Sequence, residues 1–131
     1  METLFSKIIT GKIPSYKVAE DAFCYALLDI HPNTRGHVLC VPKKQVDKLF
    51  DLSEKDYNRL MTFSRKVALA LRQAIPCKRV GMSVVGLEVP HAHVHLIPLE
   101  SMEDIRFQKK VELSPEVMQE TAKAIAASFE V

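Results

Sequence analysis

Between residues 91 and 97 the chain reads His-Ala-His-Val-His-Leu-Ile. Alternation of polar and apolar side chains marks a half-buried β-strand, because successive side chains on a strand point to opposite faces. The segment therefore predicts a strand that carries His91, His93 and His95 on one side and Ala92, Val94 and Leu96 on the other. Alternate Cα atoms on a strand lie about 6.5–7 Å apart, so three imidazoles would share one row. Such a strand needs sheet neighbours and a cover for its apolar face, and the rest of the chain must supply both.

It does so in a readable order. Leu4, Phe5, Ile8 and Ile9 fall on one face of a short helix over residues 3–10, with Gly11 as its stop. Two strands follow, over residues 16–20 and 23–29, and a third over 37–41 after the turn-rich loop His31-Pro32-Asn33-Thr34-Arg35-Gly36. Ser53 with Asp56 resembles a helix-capping pair. Tyr57, Leu60, Met61, Ser64, Val67, Ala68, Leu71 and Ile75 then recur at helical spacing up to Pro76. Residues 79–85 and 91–97 read as strands around a turn at 86–90, and residues 100–110 as irregular chain. Ser114-Pro115-Glu116 opens a last helix whose apolar face holds Val117, Met118, Thr121, Ala122, Ile125 and Phe129. The expected class is α+β: a five-stranded antiparallel sheet, a long covering helix and short terminal helices. One domain over residues 3–131 accommodates all of it.

Composition narrows the function classes. With 47% hydrophobic and 26% charged residues and a net charge of +2, nothing favours nucleic acid or membrane partners. No apolar run is long enough to span a bilayer, and the N-terminus does not read as a signal peptide. Cys24, Cys40 and Cys77 are odd in number and widely spaced, which suits buried free thiols in the cytoplasm better than disulfides.

Three of the five histidines fall within the row. Taken locally, it could be a solvated strand face, a metal site built on neutral imidazole, or a phosphate-handling site. No Cys, Asp or Glu stands beside it at a ligand spacing. Upstream, Gly86 permits a tight turn in which the backbone N–H groups of Leu87, Glu88 or Val89 can hold phosphate oxygens, while Pro90 has none to offer.

The run Gly86 to Pro98, ending in His91-x-His93-x-His95-Leu96-Ile97-Pro98, resembles the defining motif of the histidine-triad family. Residues 5–15 resemble its opening helix and turn. Leu28-Asp29-Ile30-His31-Pro32 and residues 36–44 (GHVLCVPKK) resemble its central strands. The resemblance covers residues 3 to 98 in order and favours the nucleotide-binding hydrolase branch.

The resemblance implies a nucleotide hydrolase or transferase that cleaves at the α-phosphate of nucleoside phosphoramidates or related conjugates. His93 is then the nucleophile, forming a covalent nucleotidyl-histidine that water resolves. An ordinary imidazole, with a pKa of about 6.5, is largely neutral and nucleophilic at pH 7. His95 would contact the phosphate and help protonate the leaving group, and His91 and His37 would orient the active ring. Asp29 would bind the ribose hydroxyls, while Phe5, Ile8, Leu27 and Ile30 would surround a purine of the AMP or GMP type. Ser83, Gly86, Glu88 and Val89 would lie on the phosphate side. Family members are typically homodimers, joined sheet edge to sheet edge with the long helices packed together.

Three departures from the pattern matter. Zinc-binding members carry two cysteines and a histidine where this chain has Thr3, Ser6 and Gln45, so His91 alone remains of four ligands, and no metal or other cofactor is expected. Leu87 replaces a usual glutamine. The segment between Ser83 and Gly86 is shorter than usual and lacks a polar amide. The last two motivate an alternative, a nucleotide-binding regulatory module with little turnover; a dinucleoside polyphosphate hydrolase is the other.

Overall fold

The computed structural model describes residues 2–130; Val131, the last residue of the expected domain, lies outside them. Side-chain caps fix the helix starts. Thr3 and Ser6 cap helix α1 (Leu4–Ile9) reciprocally. Ser53 Oγ accepts from the Asp56 N–H at the start of α2 (Glu54–Ala74), and Ser114 does the same for Val117 in α3 (Pro115–Ser128). Strands β1 (Lys17–Glu20), β2 (Cys24–Leu28), β3 (Val38–Pro42), β4 (Arg79–Ser83) and β5 (Val94–Leu99) form one antiparallel sheet in the order β1-β2-β3-β5-β4. The α+β class with a five-stranded antiparallel sheet is therefore what the chain adopts. Short 3₁₀ turns occupy Leu49–Asp51 and Met102–Ile105.

The sheet is covered on both faces. α2 and α3 pack over one, where Cys24, Ala26 and Leu28 of β2, Val38 and Cys40 of β3, and Val94 and Leu96 of β5 meet Leu60, Phe63, Val67, Ala70, Leu71 and Ile125. Each large side chain buried here contributes about 1.5–3 kcal/mol. The alternate residues, Tyr25, Leu27, Leu39 and Val41, meet Phe5 and Ile8 of α1 on the other face. The register aligns Leu27 with Leu39, Leu39 with His95, and His95 with Ser83. His95 thus lies on the same face as the α1 cluster.

Two expectations need correction. The histidine row is not one strand: β5 starts at Val94, so His91 and His93 precede it. The Ala92 N–H donates to Val46 O, in the loop after β3, at 2.7 Å, and the His91 N–H folds back to Val89 O at 2.8 Å; both amides are thereby diverted from the sheet ladder. Likewise β4 ends at Ser83 rather than at residue 85, and Val84 and Val85 are exposed. Among the thiols, Cys24 and Cys40 are buried, whereas Cys77 is half-buried.

The loop before β3 is held tightly. Gly36 has φ +92°, and a Cβ there would lie 3.2 Å from Ile75, Leu71 and Pro98. Only glycine fits this backbone at this distance from the end of α2.

Candidate active site

Four imidazoles meet on the α1 side of the sheet, and their hydrogen bonds assign each proton. A carbonyl oxygen only accepts. His93 Nδ1 lies 2.7 Å from His91 O, so Nδ1 carries a proton, and in the neutral ring Nε2 holds the lone pair. His91 Nε2 lies 2.7 Å from Pro42 O, so its proton is on Nε2 and Nδ1 accepts from Thr3 Oγ1 at 2.8 Å. The Asn33 N–H donates to His37 Nδ1 at 2.9 Å. The proton of neutral His37 therefore sits on Nε2 and is donated to His95 Nδ1 at 2.9 Å. That leaves the His95 proton on Nε2.

Neutrality has a physical cause. Burial, reinforced by His95, Lys110 and His93, pushes the His37 pKa down to about 3. Burial with His93 and Lys110 brings His95 down to about 4. Burial also lowers His91. His37 and His91 are fully buried, while His93 and His95 keep 7% and 8% of their surface. The two with an unengaged Nε2 are thus the two that a ligand can reach.

The walls are aromatic and acidic. The Phe5 ring stands edge-on to His93 at 4.9 Å and to His91 at 5.7 Å. Asp29, at the end of β2, accepts from the His31 N–H at 2.8 Å and places Oδ2 3.6 Å from His37 Nε2. Burial raises its pKa. Asp29, His37 and His95 are close enough to suggest a cation site. The Asn33 amide argues against it, because it keeps the His37 proton on Nε2, the atom that would have to ligate.

The other residues singled out in the sequence fall into two groups. Phe5, Ile8 and Leu27 form one buried cluster, with Val89 packed against it. Ser83 is the cross-strand partner of His95. Ile30 is 64% exposed and lies beside Ser15, Tyr16 and Ala122, away from that cluster. Glu88 is exposed, and Gly86 (φ +78°) opens a turn with nothing within 4 Å of where its Cβ would be.

Three further contributors carry no local sequence signal. Phe107, in the stretch expected to be irregular, takes a left-handed backbone (φ 61°) and sets its ring edge-on to His95 at 4.8 Å. Lys110 Nζ donates to Asn33 Oδ1 at 2.7 Å, and its charge acts on Asp29, His37 and His95 alike. Asn33, 4% exposed, ties that segment to His37.

The four positions at which the resemblance implies zinc do not fit it here. Ser6 Oγ donates to Gln45 Oε1 and Thr3 Oγ1 reaches His91, each at 2.8 Å. Both ring nitrogens of His91 are engaged, and no thiolate is present in the set.

The HIT-domain family model matches residues 10–102. An uncharacterized HIT-like protein of Borreliella burgdorferi is 33% identical over 123 residues, covering 88% of each chain. The adenosine 5'-monophosphoramidase of Saccharomyces cerevisiae is 35% identical over 96 residues; the match takes in 72% of this chain and spans 61% of that relative's length. Among solved structures, a Hit-like protein from Bartonella henselae superposes with a TM-score of 0.85 at 28% identity, covering 98% of this chain and 96% of that one. A histidine triad nucleotide-binding protein from Candida albicans gives 0.66 at 28% identity, covering 86% and 82%. With the family match extending across the whole sheet and through all three histidines of the motif, the chain belongs to the HIT, or histidine-triad, family.

Proposed function

We propose that this protein is a cytoplasmic nucleotide hydrolase or transferase acting at the α-phosphorus of purine nucleoside phosphoramidates, with His93 as the nucleophile. The observation that carries this reading is the 2.7 Å bond from His93 Nδ1–H to His91 O. In the neutral ring it places the proton on Nδ1 rather than Nε2, and it supports the developing positive charge as Nε2 bonds to phosphorus. The P–N bond to the leaving amine breaks in the same step. Burial holds His95 near a pKa of about 4, and its Nδ1 is occupied by the His37 N–H, so the ring stays neutral and presents Nε2–H. The proton that the departing amine takes arrives with the substrate, and His95 Nε2–H hydrogen-bonds the phosphate as the amine leaves. Water then attacks the nucleotidyl-histidine phosphorus, the bond to Nε2 breaks, and the water's surplus proton leaves to solvent.

In this reading Asp29 accepts from the ribose hydroxyls, and Phe5, Ile8 and Leu27 flank an AMP- or GMP-type base, with Ile30 outside that group. Ser83 and the backbone of Gly86, Glu88 and Val89 face the phosphate. His91 and His37 hold the tautomers of His93 and His95. The yeast relative named as a phosphoramidase supports this substrate class over dinucleoside polyphosphates. The proposed assembly is a homodimer through the β4 edge, where Met82, Val84 and Val85 are exposed.

A second reading, a nucleotide-binding regulatory module, draws on Leu87, which is 90% exposed in the open turn where a polar side chain would serve the phosphate better. One experiment separates the two. The protein is incubated with labelled AMP-amine, AMP-lysine and diadenosine polyphosphates, with His93→Ala as control. Turnover of the amide, recovery of a labelled nucleotidyl-protein after an alkaline quench, and loss of both in a variant that still binds AMP are expected. Tight AMP binding with no turnover on any substrate would replace the enzyme with the module.

A further inference from the structure

Helix α1 spans six residues, too few to be stable alone, yet it carries Phe5, which touches the rings of both His91 and His93. Something outside the helix must hold it. The capping box accounts for two backbone amides: the Thr3 N–H donates to Ser6 Oγ at 2.8 Å, and the Ser6 N–H to Thr3 Oγ1 at 3.0 Å. The two hydroxyl protons go elsewhere. Ser6 gives its proton to Gln45 Oε1 at 2.8 Å, in the loop after β3. Thr3, 6% exposed, is left with a proton for His91 Nδ1, which has none of its own because the ring's single proton is committed to Pro42 O.

We infer that Thr3, backed by Ser6 and Gln45, is a positioning residue for His93, and that this hydrogen-bonded clamp does by proton donation what a metal would do with four ligands. The inference rests on His93 being the nucleophile. His91 is the joint. Its ring is pinned at Nδ1 by Thr3 and at Nε2 by Pro42 O, its N–H is tied to Val89 O, and its carbonyl oxygen holds His93 Nδ1–H. Freeing the ring at Nδ1 leaves a buried acceptor without a donor. Pro42 O still holds the proton on Nε2, so the ring shifts or rotates to find a donor for Nδ1. Either movement disturbs the residue whose carbonyl aims the nucleophile, while Asp29 is untouched and α1, though it loses one cap bond, keeps Phe5 and Ile8 packed on Leu27 and Leu39. The effect therefore falls on the chemical step more than on binding.

The test uses Thr3→Val, which keeps shape and removes the hydroxyl, and Thr3→Ser, which restores it. With AMP-amine as substrate, Thr3→Val is expected to lower kcat by about tenfold or more and to shift KM by less than about threefold. Thr3→Ser is expected to return kcat to within about twofold of wild type. In long-range ¹H–¹⁵N NMR spectra, the His91 Nδ1 signal should report an accepted hydrogen bond in wild type and Thr3→Ser and shift to that of an unbonded lone pair in Thr3→Val, with the His93 Nδ1 signal moving as well. A folded Thr3→Val with unchanged His91 and His93 signals, or with unchanged kcat, overturns the inference. If Thr3→Val does not fold, Thr3→Ala, which removes the same hydroxyl without leaving a branched side chain, must show the His91 and His93 shifts, and its failure to do so is equally fatal. If wild type turns over none of the conjugates, the enzymatic reading fails by itself, and the two NMR signals still decide the clamp.

Discussion

Lowering the pH from 7 to 5 should cost this fold about 4 kcal/mol at His37 and His95 alone. His37 and His95 are buried neutral, with pKa values pushed down to about 3 and about 4. In the unfolded chain each returns to about 6.5. Between those values the unfolded state binds a proton that the native state refuses, so stability is fully present above pH 6.5 and falls as the pH drops towards 4. At pH 5 the unfolded form of each is favoured by about 2 kcal/mol, since one pKa unit corresponds to about 1.4 kcal/mol. His91, lowered by burial, adds to the loss. The carboxylates act elsewhere: Glu20, held down by Lys17 and Lys43, loses its stabilising effect only below its ordinary value of 4.5. Asp29, raised by burial, works in the opposite sense at the acid end. Urea unfolding followed by circular dichroism at pH 7, 6 and 5 measures the effect. With an m-value of about 2 kcal/mol/M, the midpoint should fall by about 2 M. In His37→Gln the fall should be about half as large, whatever the variant's absolute stability. A midpoint that stays constant between pH 7 and pH 5 would refute the claim that these rings are neutral in the native state.

Two further predictions concern packing. Ser64 on α2 is fully buried, and its Oγ lacks a nitrogen or oxygen partner among the described residues; the Cys40 thiol beside it is a weak one. Ser64→Ala should therefore raise stability by about 1 kcal/mol in the same urea assay, and a loss would mean that the hydroxyl is satisfied. Gly36 and Gly86 both have positive φ, but only Gly36 is crowded. Gly86→Ala should cost about 1 kcal/mol of backbone strain, and Gly36→Ala about 1–3 kcal/mol more from overpacking against Leu71, Ile75 and Pro98. Equal losses at the two sites would show that the loop before β3 can move away from α2.

Elements with their own chemistry were legible in the sequence. Ser53 and Ser114-Pro115 mark where α2 and α3 begin because caps act within one turn. Less legible was which residues face the core. β2 and β3 are buried on both faces, since α1 covers one and α2 with α3 the other, so alternation disappears. On α2 the periodic reading passed over Phe63 and Ala70, which are buried in the main core. The row 91–97 shows the limit most clearly. Its alternation is real for Val94 and Leu96, which enter the main core, and for His95. His91 and His93 reach the same site from outside the sheet because the Ala92 amide is taken by Val46. No periodicity encodes that bond, made between residues 46 positions apart. Phe107, Lys110 and Asn33 escaped for the same reason: their importance is a meeting across the fold, and each looks ordinary among its chain neighbours.

The charge balance of the site follows from this arrangement. Four imidazoles lie together, and three are pushed towards neutrality by burial. A row of cations would bind phosphate tightly in the ground state and would leave no lone pair for attack. Protons placed by acceptor-only carbonyls, a donor-only amide and, for His95, the His37 N–H present Nε2 of His93 and an N–H of His95 to the same space. The proton that the leaving group needs then comes with the substrate rather than from a resident cation. Burial, which makes His37, His91 and His95 costly to the fold below pH 6.5, is on this reading what keeps the rings around His93 uncharged.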